Sequence, residues 1–327
     1  MKLATLKSAD SLDGQLVIVS QNNKFYVSAT DICKNLLSAF DRWSEIEPAL
    51  QKRYHALNQN KISDQIEIKD FKNFESVLPR TWLFADGSAF IHHIKLVRQA
   101  RKAALPETLL TVPLMYQAES GRFLAPNDDI PQADFNYGTD FEAEVGVIVD
   151  YVPMGISADK AIEHIKLVVI LNDVTLRGLI PAELLNGFGF FQSKPNKVLS
   201  PLAITLDELG DHWKNGRVNL PLHVKFNNEF FGCANAKEMH FHFGELIAHA
   251  AKTRPLAAGS LIGSGTVSNE DPNVGSSCLV EKRMIEQINT GEQKTPYMKI
   301  GDTVQIEMLN DKNENLFGAI YQKVKQV

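Results

Sequence analysis

The sequence predicts a β-rich α+β fold, and three observations lead to that prediction. Segments that alternate apolar and polar residues outnumber helical segments after about residue 80. Turn-forming pairs such as Asn227-Asn228 separate these segments and predict hairpins. The few helical segments do not alternate regularly with the strands, which argues against a doubly wound parallel sheet.

The first part of the chain is predicted to form a small amino-terminal unit. It contains the apolar run 16–19 and a polar helical stretch over 38–52. A composition change near Pro79 marks its end, so the predicted domains cover residues 1–78 and 79–327.

The period-two pattern predicts the strands of the second domain. They cover 140–150, 166–171, 220–226 and 304–308, and the last of them returns through Phe317 and Ala319.

Three helices are predicted in the second domain, over 90–104, 158–165 and 243–252. Pro106 ends the first of them. The segment from Thr205 to Glu208 is typical of a capping box that opens a short helical turn.

Composition excludes several classes of protein. The 327 residues carry a net charge of −5 with interspersed signs, so no surface for nucleic acid or an anionic membrane is predicted. The amino end has no continuous apolar stretch, and the longest aliphatic run, 167–171, is far too short for a membrane span. Three widely spaced cysteines suit reduced, mostly buried thiols rather than disulfides or a zinc site. We therefore expect a cytoplasmic protein that handles small molecules.

Glu142 and Glu144 are the most informative local feature. Residues two apart on a strand point to the same face, so the two carboxylates lie together. Gly146 continues the row without a side chain, which predicts space beside the acids. A solvated strand face is the simpler interpretation of this pattern when it is considered alone.

Two further carboxylates suggest a metal site. Asp173 follows the apolar run 167–171, where a buried strand ends, and Arg177 lies four residues later. Asp86 is predicted in a tight turn just before the helix at 90–104. Each alone is also typical of a turn or capping aspartate. If the four acids meet, their oxygens form a site that selects Mg²⁺, Ca²⁺ or Mn²⁺ over zinc or copper.

The helix at 90–104 presents two histidines on different faces. His93 shares the apolar face, whereas His92 falls with Lys95 on the predicted solvent side. A histidine on an apolar face is commonly a satisfied core residue. His93, however, follows Asp86 by seven residues and is therefore expected near whatever Asp86 binds.

Two other segments have alternative interpretations. Lys194 lies among glycines and aromatic residues, where a buried lysine needs anionic neighbours and a surface lysine needs none. Segment 259–269 is rich in glycine and hydroxyl groups but lacks a nucleotide-binding lysine, which predicts a backbone-lined anion pocket. No segment has the GxSxG spacing of a serine hydrolase.

Taken in order, these segments make the chain from Arg80 onward resemble a bacterial-type member of the fumarylacetoacetate hydrolase family. The matching pieces are Asp86 with His93, Glu142-x-Glu144, Asp173 with Arg177, Lys194 before Ser200-Pro201, Thr253-Arg254-Pro255, and Gly265-Thr266-Val267-Ser268 ahead of Glu281. Each piece is weak alone, and their order makes them specific for the family.

The resemblance implies a small amino-terminal β domain, a carboxyl-terminal mixed β-roll catalytic domain and a homodimer. It also implies a Mg²⁺ or Ca²⁺ cofactor, or Mn²⁺, held by four carboxylates. These carboxylates are Asp86, Glu142, Glu144 and Asp173.

The resemblance further implies a role for each remaining site residue. His93, paired with Glu281, would activate a water that attacks a carbonyl of a β-diketo acid substrate. The oxyanion and the departing carbanion would be stabilised by Arg177 and Lys194, and the substrate would be contacted by Tyr116 and Thr266.

Two departures from the family pattern bear on the substrate. Fumarylacetoacetase proper has a glutamine seven residues beyond the metal aspartate, where this chain has Ile180. The spacing from Thr266 to Glu281 is one residue longer than in the animal enzymes.

The expected activity is metal-dependent hydrolysis of a C–C bond in a β-diketo acid, with fumarylacetoacetate from tyrosine breakdown as the best single substrate. The alternatives within the family are hydrolysis of fumarylpyruvate or another acylpyruvate, and decarboxylation of oxaloacetate. The alternative of another class is a non-catalytic, metal-stabilised ligand-binding protein. The presence of both His93 and Glu281 argues against that last alternative, because a binding protein needs no general base.

Overall fold

A computed structural model of the chain describes residues 1–100 and 104–327. Within these ranges the strands are β1 Lys2–Leu6, β2 Gln15–Val19, β3 Phe25–Ser28, β4 Ile66–Glu67, β5 Phe84–Gly87, β6 Met115–Ala118, β7 Ile130–Gln132, β8 Thr139–Asp140, β9 Ala143–Val149, β10 Ile165–Asn172, β11 Thr175–Leu176, β12 Val198–Leu199, β13 Leu202–Ile204, β14 Trp213–Lys214, β15 Arg217–Val218, β16 Pro221–Phe226, β17 Glu229–Asn235, β18 Leu261–Gly263, β19 Thr303–Met308 and β20 Ile320–Gln326. The α-helices are α1 Leu36–Phe40, α2 Trp43–Asn58, α3 Ile91–Ala100, α4 Ala158–Ala161, α5 Ile180–Asn186, α6 Phe243–Ala250 and α7 Leu279–Thr290. The predicted β-rich α+β class is confirmed.

Two large sheets form the framework. The larger one has the order β4-β3-β2-β1-β13-β10-β9-β18-β5-β6, with β12 beside β10. Its β18 and β5 run parallel, whereas β9 is antiparallel to both β10 and β18. The smaller sheet has the order β17-β16-β19-β20-β7, with β20 and β7 parallel. Both sheets are therefore mixed, as the β-roll prediction required.

The central strands of the larger sheet are buried on both faces. On one face, Val145 and Val147 of β9 pack in a cluster that includes Val224 of the smaller sheet. On the opposite face, Ile148 of β9 belongs to a cluster that includes Leu50 of α2. Burying one such side chain contributes on the order of 1.5–3 kcal/mol. The strands that carry the acidic residues are thus held rigidly from two sides.

The amino-terminal unit continues the larger sheet. Strand β1 pairs antiparallel with β13, with Lys2 opposite Ile204, and β2 to β4 follow outward. The unit also contains α1 and the 16-residue α2. Its buried residues Trp43, Ile46 and Leu50 follow the helical spacing that covers one face of the sheet.

Two predicted hairpins are present. Strands β16 and β17 are joined at Asn227-Asn228, where φ is 52° and 65°, as a two-residue turn of the mirror-image type requires. Strands β19 and β20 also pair, but β20 begins only at Ile320. The predicted return residues Phe317 and Ala319 therefore precede the strand.

Two predictions near the acidic residues are wrong. Asp86 lies within β5 rather than in a tight turn, because β5 is paired on one side with β18 and on the other with β6. The space predicted beside Gly146 is filled by apolar side chains. A Cβ atom there would stand 3.0 Å from the Leu171 side chain and 3.1 Å from that of Leu261.

Helix ends differ from the predictions by a few residues. Helix α3 begins at Ile91, and part of the predicted helix at 90–104 falls on residues 101–103, outside the described residues. The segment predicted as a helix over 158–165 is α4 followed by a 3₁₀ turn, and Ile165 opens β10. Helix α6 ends at Ala250, two residues before the predicted end.

The predicted capping box is absent, although its helical turn is present. A 3₁₀ turn covers Leu206–Glu208, but Thr205 makes no capping hydrogen bond to it. The three cysteines are unpaired, and only Cys278 is fully buried, so the expectation of mostly buried thiols holds for one of them. No helix in the described part of the chain is long and apolar enough to cross a membrane.

Candidate active site

Three distant parts of the chain bring carboxylates together at neighbouring strands. Asp86 belongs to β5, Glu144 to β9, and Asp173 follows the last residue of β10. Each offers a carboxylate oxygen, and these oxygens lie within 4.8 Å of one another. All three side chains are buried. The convergence that the sequence could only suggest is present for these three acids, which we call the carboxylate cluster.

Gly263 of β18 makes this convergence possible. It lies between β9 and β5, opposite both Gly146 and Asp86. A Cβ atom on Gly263 would stand 2.2 Å from Oδ1 of Asp86, so any larger residue would displace the carboxylate. On its other side, Oδ1 of Asp86 accepts a hydrogen bond from the backbone N–H of Gly265 at 3.2 Å.

Glu142, just before β9, and Glu144, within β9, do not form a solvated strand face, so that simpler interpretation is wrong. Glu142 is 4% exposed and Glu144 is 0% exposed. Both carboxylate oxygens of Glu144 are buried and find no hydrogen-bond partner among the described residues. Leaving a buried polar atom without a partner costs about 1–3 kcal/mol, and more for a charged group.

Burial and mutual repulsion of the carboxylates in the cluster favour the binding of a cation. Burial and the neighbouring charge of Asp173 raise the pKa of Asp86 to about 8. Burial, Asp86 and Asp173 raise the pKa of Glu144 well above its ordinary value. A divalent cation would satisfy the free oxygens of Glu144 and offset the repulsion. The residues present therefore fit a hard cation with oxygen ligands.

Glu142 is held by two cationic side chains rather than by the carboxylate cluster. Nζ of Lys194 lies 2.7 Å from Oε2 of Glu142, and Arg177 donates a hydrogen bond to Oε1. Burial acts to raise the pKa of Glu142, but Arg177 and Lys194 outweigh it and hold the pKa well below its ordinary value. Glu142 is therefore ionised, and the buried Lys194 has the anionic neighbours that it needs.

Asp140 connects this ion pair to the start of α7. Nε of Arg177 lies 2.9 Å from Oδ2 of Asp140. The same carboxylate accepts hydrogen bonds from the backbone N–H groups of Leu279 at 2.7 Å and Val280 at 3.0 Å. A carboxylate at a helix amino terminus is stabilised by the helix dipole. Asp140 was not predicted as a site residue, because its helix partners lie 139 and 140 residues away.

His93 and Glu281 form a hydrogen-bonded pair between α3 and α7. Nδ1 of His93 lies 2.9 Å from Oε2 of Glu281. The Glu281 side chain is 1% exposed and that of His93 is 17% exposed. His92, expected to face solvent, is half-buried and lines a separate cavity of about 440 Å³ together with Lys95.

Asp173 is surrounded by donors. Its Oδ2 accepts a hydrogen bond from the Tyr116 hydroxyl at 2.9 Å and also contacts Nζ of Lys194. Its Oδ1 lies 2.6 Å from Nζ of Lys197, a fully buried lysine that the sequence analysis missed. No local pattern distinguishes Lys197 from a surface lysine, because its only ionic partner among the described residues comes from a strand end 24 residues earlier in the chain.

One cavity of about 420 Å³ brings the predicted site together. Eight of the ten predicted site residues line it, including Thr266. The other two, Asp173 and Glu281, stand behind the lining and are each hydrogen-bonded to a lining residue. Most of the other lining side chains are apolar, Ile180 among them, and Arg98 adds a further charged group. The cavity thus has both charged and apolar lining.

Two family models cover nearly the whole chain. A model described as fumarylacetoacetate (FAA) hydrolase C-terminal matches residues 83–325, and one described as fumarylacetoacetase N-terminal domain 2 matches residues 1–80. The chain belongs to the fumarylacetoacetate hydrolase family. The family resemblance drawn from the order of the motifs is confirmed.

The curated relatives that match this chain are distant in sequence. A 2,4-didehydro-3-deoxy-L-rhamnonate hydrolase from Sphingomonas sp. strain SKA58 is 25% identical over 202 residues, which cover 60% of this chain and 61% of that protein. The chain therefore matches about three-fifths of that relative's length.

Solved structures share the fold over the full chain. A maleylpyruvate hydrolase from Sphingobium sp. SYK-6, in complex with manganese(II) and pyruvate, has a TM-score of 0.67 at 14% identity and covers 100% of this chain and 99% of that one. A fumarylacetoacetate hydrolase from Exiguobacterium antarcticum has a TM-score of 0.63 at 15% identity and covers 100% of both chains. These similarities show the family fold.

Proposed function

We propose that the chain is a divalent-cation-dependent hydrolase that cleaves a C–C bond in a β-diketo acid. The observation that carries the proposal is the His93–Glu281 pair, whose histidine lines the same cavity as Asp86 and Glu144 of the carboxylate cluster. A general base beside a cation site is what hydrolytic cleavage needs and what simple ligand binding does not. Family membership supports an enzyme of this kind.

The carboxylate cluster, with Glu142 alongside, would hold Mg²⁺, Ca²⁺ or Mn²⁺. When bound, the cation would act as a Lewis acid that withdraws electron density from the two oxygens of a 1,3-dicarbonyl group. Glu142 is already engaged by Arg177 and Lys194, so we assign the direct coordination first to Asp86, Glu144 and Asp173.

His93 serves as the general base in this proposal. Its Nδ1–H donates to the Glu281 carboxylate, which fixes the ring tautomer and leaves Nε2 to accept a proton from water. The water oxygen then forms a bond to one carbonyl carbon of the substrate. The adjacent C–C bond breaks and its electron pair leaves as an enolate, which takes the proton from the His93 imidazolium and becomes the ketone product.

Arg177 and Lys194 stabilise the negative charge that develops on the substrate oxygens. Burial lowers the pKa of Lys194, but Asp173 and Glu142 outweigh burial and hold this pKa above its ordinary value. The same balance, set by Glu142 and Asp140, holds the pKa of the Arg177 guanidinium above its ordinary value. Both side chains therefore remain cationic, as an electrostatic role requires. We assign substrate contacts to Tyr116 and Thr266, which line the cavity.

Fumarylacetoacetate is our first candidate substrate, within tyrosine breakdown by a cytoplasmic homodimer. An acylpyruvate, such as fumarylpyruvate or maleylpyruvate, is the second. Ile180 favours the second, because this part of the cavity offers an apolar side chain where fumarylacetoacetase proper has an amide donor. The maleylpyruvate hydrolase of the same fold supports it as well.

A substrate panel tests the proposal. The chain is stripped of metal with EDTA and then supplied with Mg²⁺, Mn²⁺ or Ca²⁺, and loss of diketone absorbance is followed for fumarylacetoacetate, fumarylpyruvate and maleylpyruvate. We expect hydrolysis of at least one diketone only when metal is present. Release of CO₂ from oxaloacetate without diketone hydrolysis would identify a decarboxylase, and binding without turnover would identify a ligand-binding protein.

A further inference from the structure

Lys197 is a buried lysine placed behind the proposed metal site. Its side chain is 0% exposed, and its Nζ lies 2.6 Å from Oδ1 of Asp173. The same Nζ donates a hydrogen bond to the backbone carbonyl oxygen of Val174 at 2.9 Å. Lys197 is not among the residues that line the active-site cavity, so it does not reach a substrate. Any effect on the reaction therefore passes through Asp173.

The two oxygens of Asp173 face different partners. Oδ2 faces the cavity side, where it meets the Tyr116 hydroxyl and Lys194. Oδ1 faces Lys197. The Lys197 ammonium thus sits between a carboxylate oxygen and a carbonyl oxygen, which are the ligand types that a hard cation takes. A tethered positive charge occupies the inner side of Asp173.

The balance of charge among the buried site residues indicates what Lys197 does. A continuous series of ion pairs joins Asp140, Arg177, Glu142, Lys194, Asp173 and Lys197. Asp86 and Glu144 complete the buried group. When all eight groups are ionised, as metal binding would require, the five carboxylates and three cationic side chains leave two negative charges, which one divalent ion neutralises. Without Lys197 the group would carry three.

We propose that Lys197 is a positioning residue that acts as a built-in cation: it neutralises charge on the inner side of Asp173 and holds the site together before a divalent ion binds. This inference rests on the proposed metal-dependent function. It predicts that Lys197 has opposite effects on stability and on metal affinity. The lysine stabilises the metal-free chain, and it lowers the affinity for the metal by repelling the incoming charge.

The substitution Lys197→Met tests the proposal, because methionine keeps the chain length and removes the charge. Mn²⁺ binding is measured by calorimetric titration, and the melting temperature is measured in EDTA. We expect Mn²⁺ affinity to rise on the order of tenfold or more, because a like charge near the ion is gone. We also expect the melting temperature in EDTA to fall and to recover when Mn²⁺ is added.

Lys2→Met is the matched control. Lys2 is also buried, at 2% exposure, but its Nζ donates to Asn23 and to none of the site residues. Its removal is expected to lower the melting temperature with or without Mn²⁺ and to leave Mn²⁺ affinity unchanged. A role of Lys197 in packing alone would give this same pattern for Lys197→Met.

Unchanged or weaker Mn²⁺ affinity in Lys197→Met would overturn the inference. If that variant is isolated only with metal bound, competition with a chelator gives the affinity, and Lys197→Gln repeats the comparison. Unfolding of either variant by EDTA, under conditions where the parent stays folded, supports the inference. If the parent protein binds no divalent ion, the proposed function is wrong. If the parent binds the ion and turns over substrate, but neither variant binds Mn²⁺ more tightly, only the proposed role of Lys197 is wrong.

Discussion

Nδ1 of His93 lies 2.9 Å from Oε2 of Glu281, although 188 positions separate the two residues in the chain. Glu281 belongs to the first turn of α7, whose leading N–H groups donate to Asp140. Asp140 is also the ion-pair partner of Arg177. One buried aspartate therefore positions both the partner of the proposed base and a cation of the site.

Replacing the proposed base should separate catalysis from metal binding. We expect His93→Ala to lower kcat by about 10²–10⁴-fold, since the variant lacks the imidazole that we assign to take the proton from water. Mn²⁺ affinity, measured by calorimetry, should stay at the parental value. His92→Ala is the control, because the neighbouring histidine lines a different cavity. Equal rates for His93→Ala and the parent would show that the base has been misassigned.

Glu144→Gln should weaken metal binding. The two oxygens of Glu144 are free of hydrogen bonds among the described residues, so the cation is their expected partner. We expect Mn²⁺ affinity to fall at least about 100-fold, since even residues that only orient ligands contribute 10–100-fold. Glu45→Gln, at an exposed position on α2, should leave the titration unchanged. An unaltered titration for Glu144→Gln would remove this residue from the metal site.

Metal affinity should depend steeply on pH. With the pKa of Asp86 raised to about 8 in the metal-free chain, a cation that binds below that pH must displace a proton. For each proton that the metal displaces, we expect the apparent metal affinity to fall by about tenfold for every pH unit below 8. Calorimetry in two buffers of different ionisation enthalpy measures the protons released. Release of no protons at about pH 6 would contradict the prediction.

The same group makes the metal-free chain less stable at higher pH. A carboxyl whose folded pKa lies above its unfolded value of 3.8 binds its proton more tightly in the folded state. Its contribution to the free energy of unfolding is present below about pH 4 and is lost as the pH rises toward 8. In EDTA, the melting temperature of the parent should fall as the pH rises, and that of Asp86→Asn should fall less. Identical pH profiles for the two chains would exclude Asp86 as its source.

Asp140→Asn should destabilise the fold and slow the reaction. Breaking a buried ion pair by removing one partner costs about 3–5 kcal/mol in the free energy of unfolding. The substituted amide oxygen would still accept one N–H bond from α7, but the change would leave Arg177 with Glu142 alone. Urea unfolding measures the loss, and Asp13→Asn, which breaks the more exposed pair with Arg80, should cost less than about 1 kcal/mol. Similar costs for the two variants would contradict the buried-network interpretation.

Ile180→Gln should shift the substrate preference. The change adds an amide donor to the apolar wall of the cavity, at the position where fumarylacetoacetase proper carries one. We expect kcat/KM for fumarylacetoacetate to rise relative to that for fumarylpyruvate. Ile180→Leu, which adds no donor, is the control and should leave the ratio of the two values unchanged. An unchanged ratio for Ile180→Gln would show that Ile180 does not govern this choice, and a fall would contradict the predicted direction.

Local patterns predicted much of the fold. The alternation in β16 and β19 identified strands because each has one face against the core and one toward solvent. Asp86 was misplaced, because the four-residue strand β5 is stabilised by pairing with β18, which lies far along the chain. Such pairing leaves no local signal. The error at Gly146 has a similar cause, since Leu171 and Leu261 reach it from neighbouring strands.

The ten residues expected from the motifs and the family resemblance remain proposed site residues, and eight of them line one cavity. The sequence indicated this grouping. It did not show that Glu142 is bound by Arg177 and Lys194, or that Asp140 and Lys197 complete the ion pairs. These contacts depend on long-range geometry, and the two missed residues look like ordinary charged residues in the sequence.

The pairing of β1 with β13 has a consequence for how the two matched regions relate. Strand β13 also pairs with β10, the strand that ends just before Asp173, so only one strand separates the amino-terminal segment from a metal-binding candidate. Cutting the chain between residues 80 and 83 and removing the first part would strip β13 of a neighbour and bare the apolar face under α2. The amino-terminal region therefore supports β13 and, through it, the strand that ends beside Asp173.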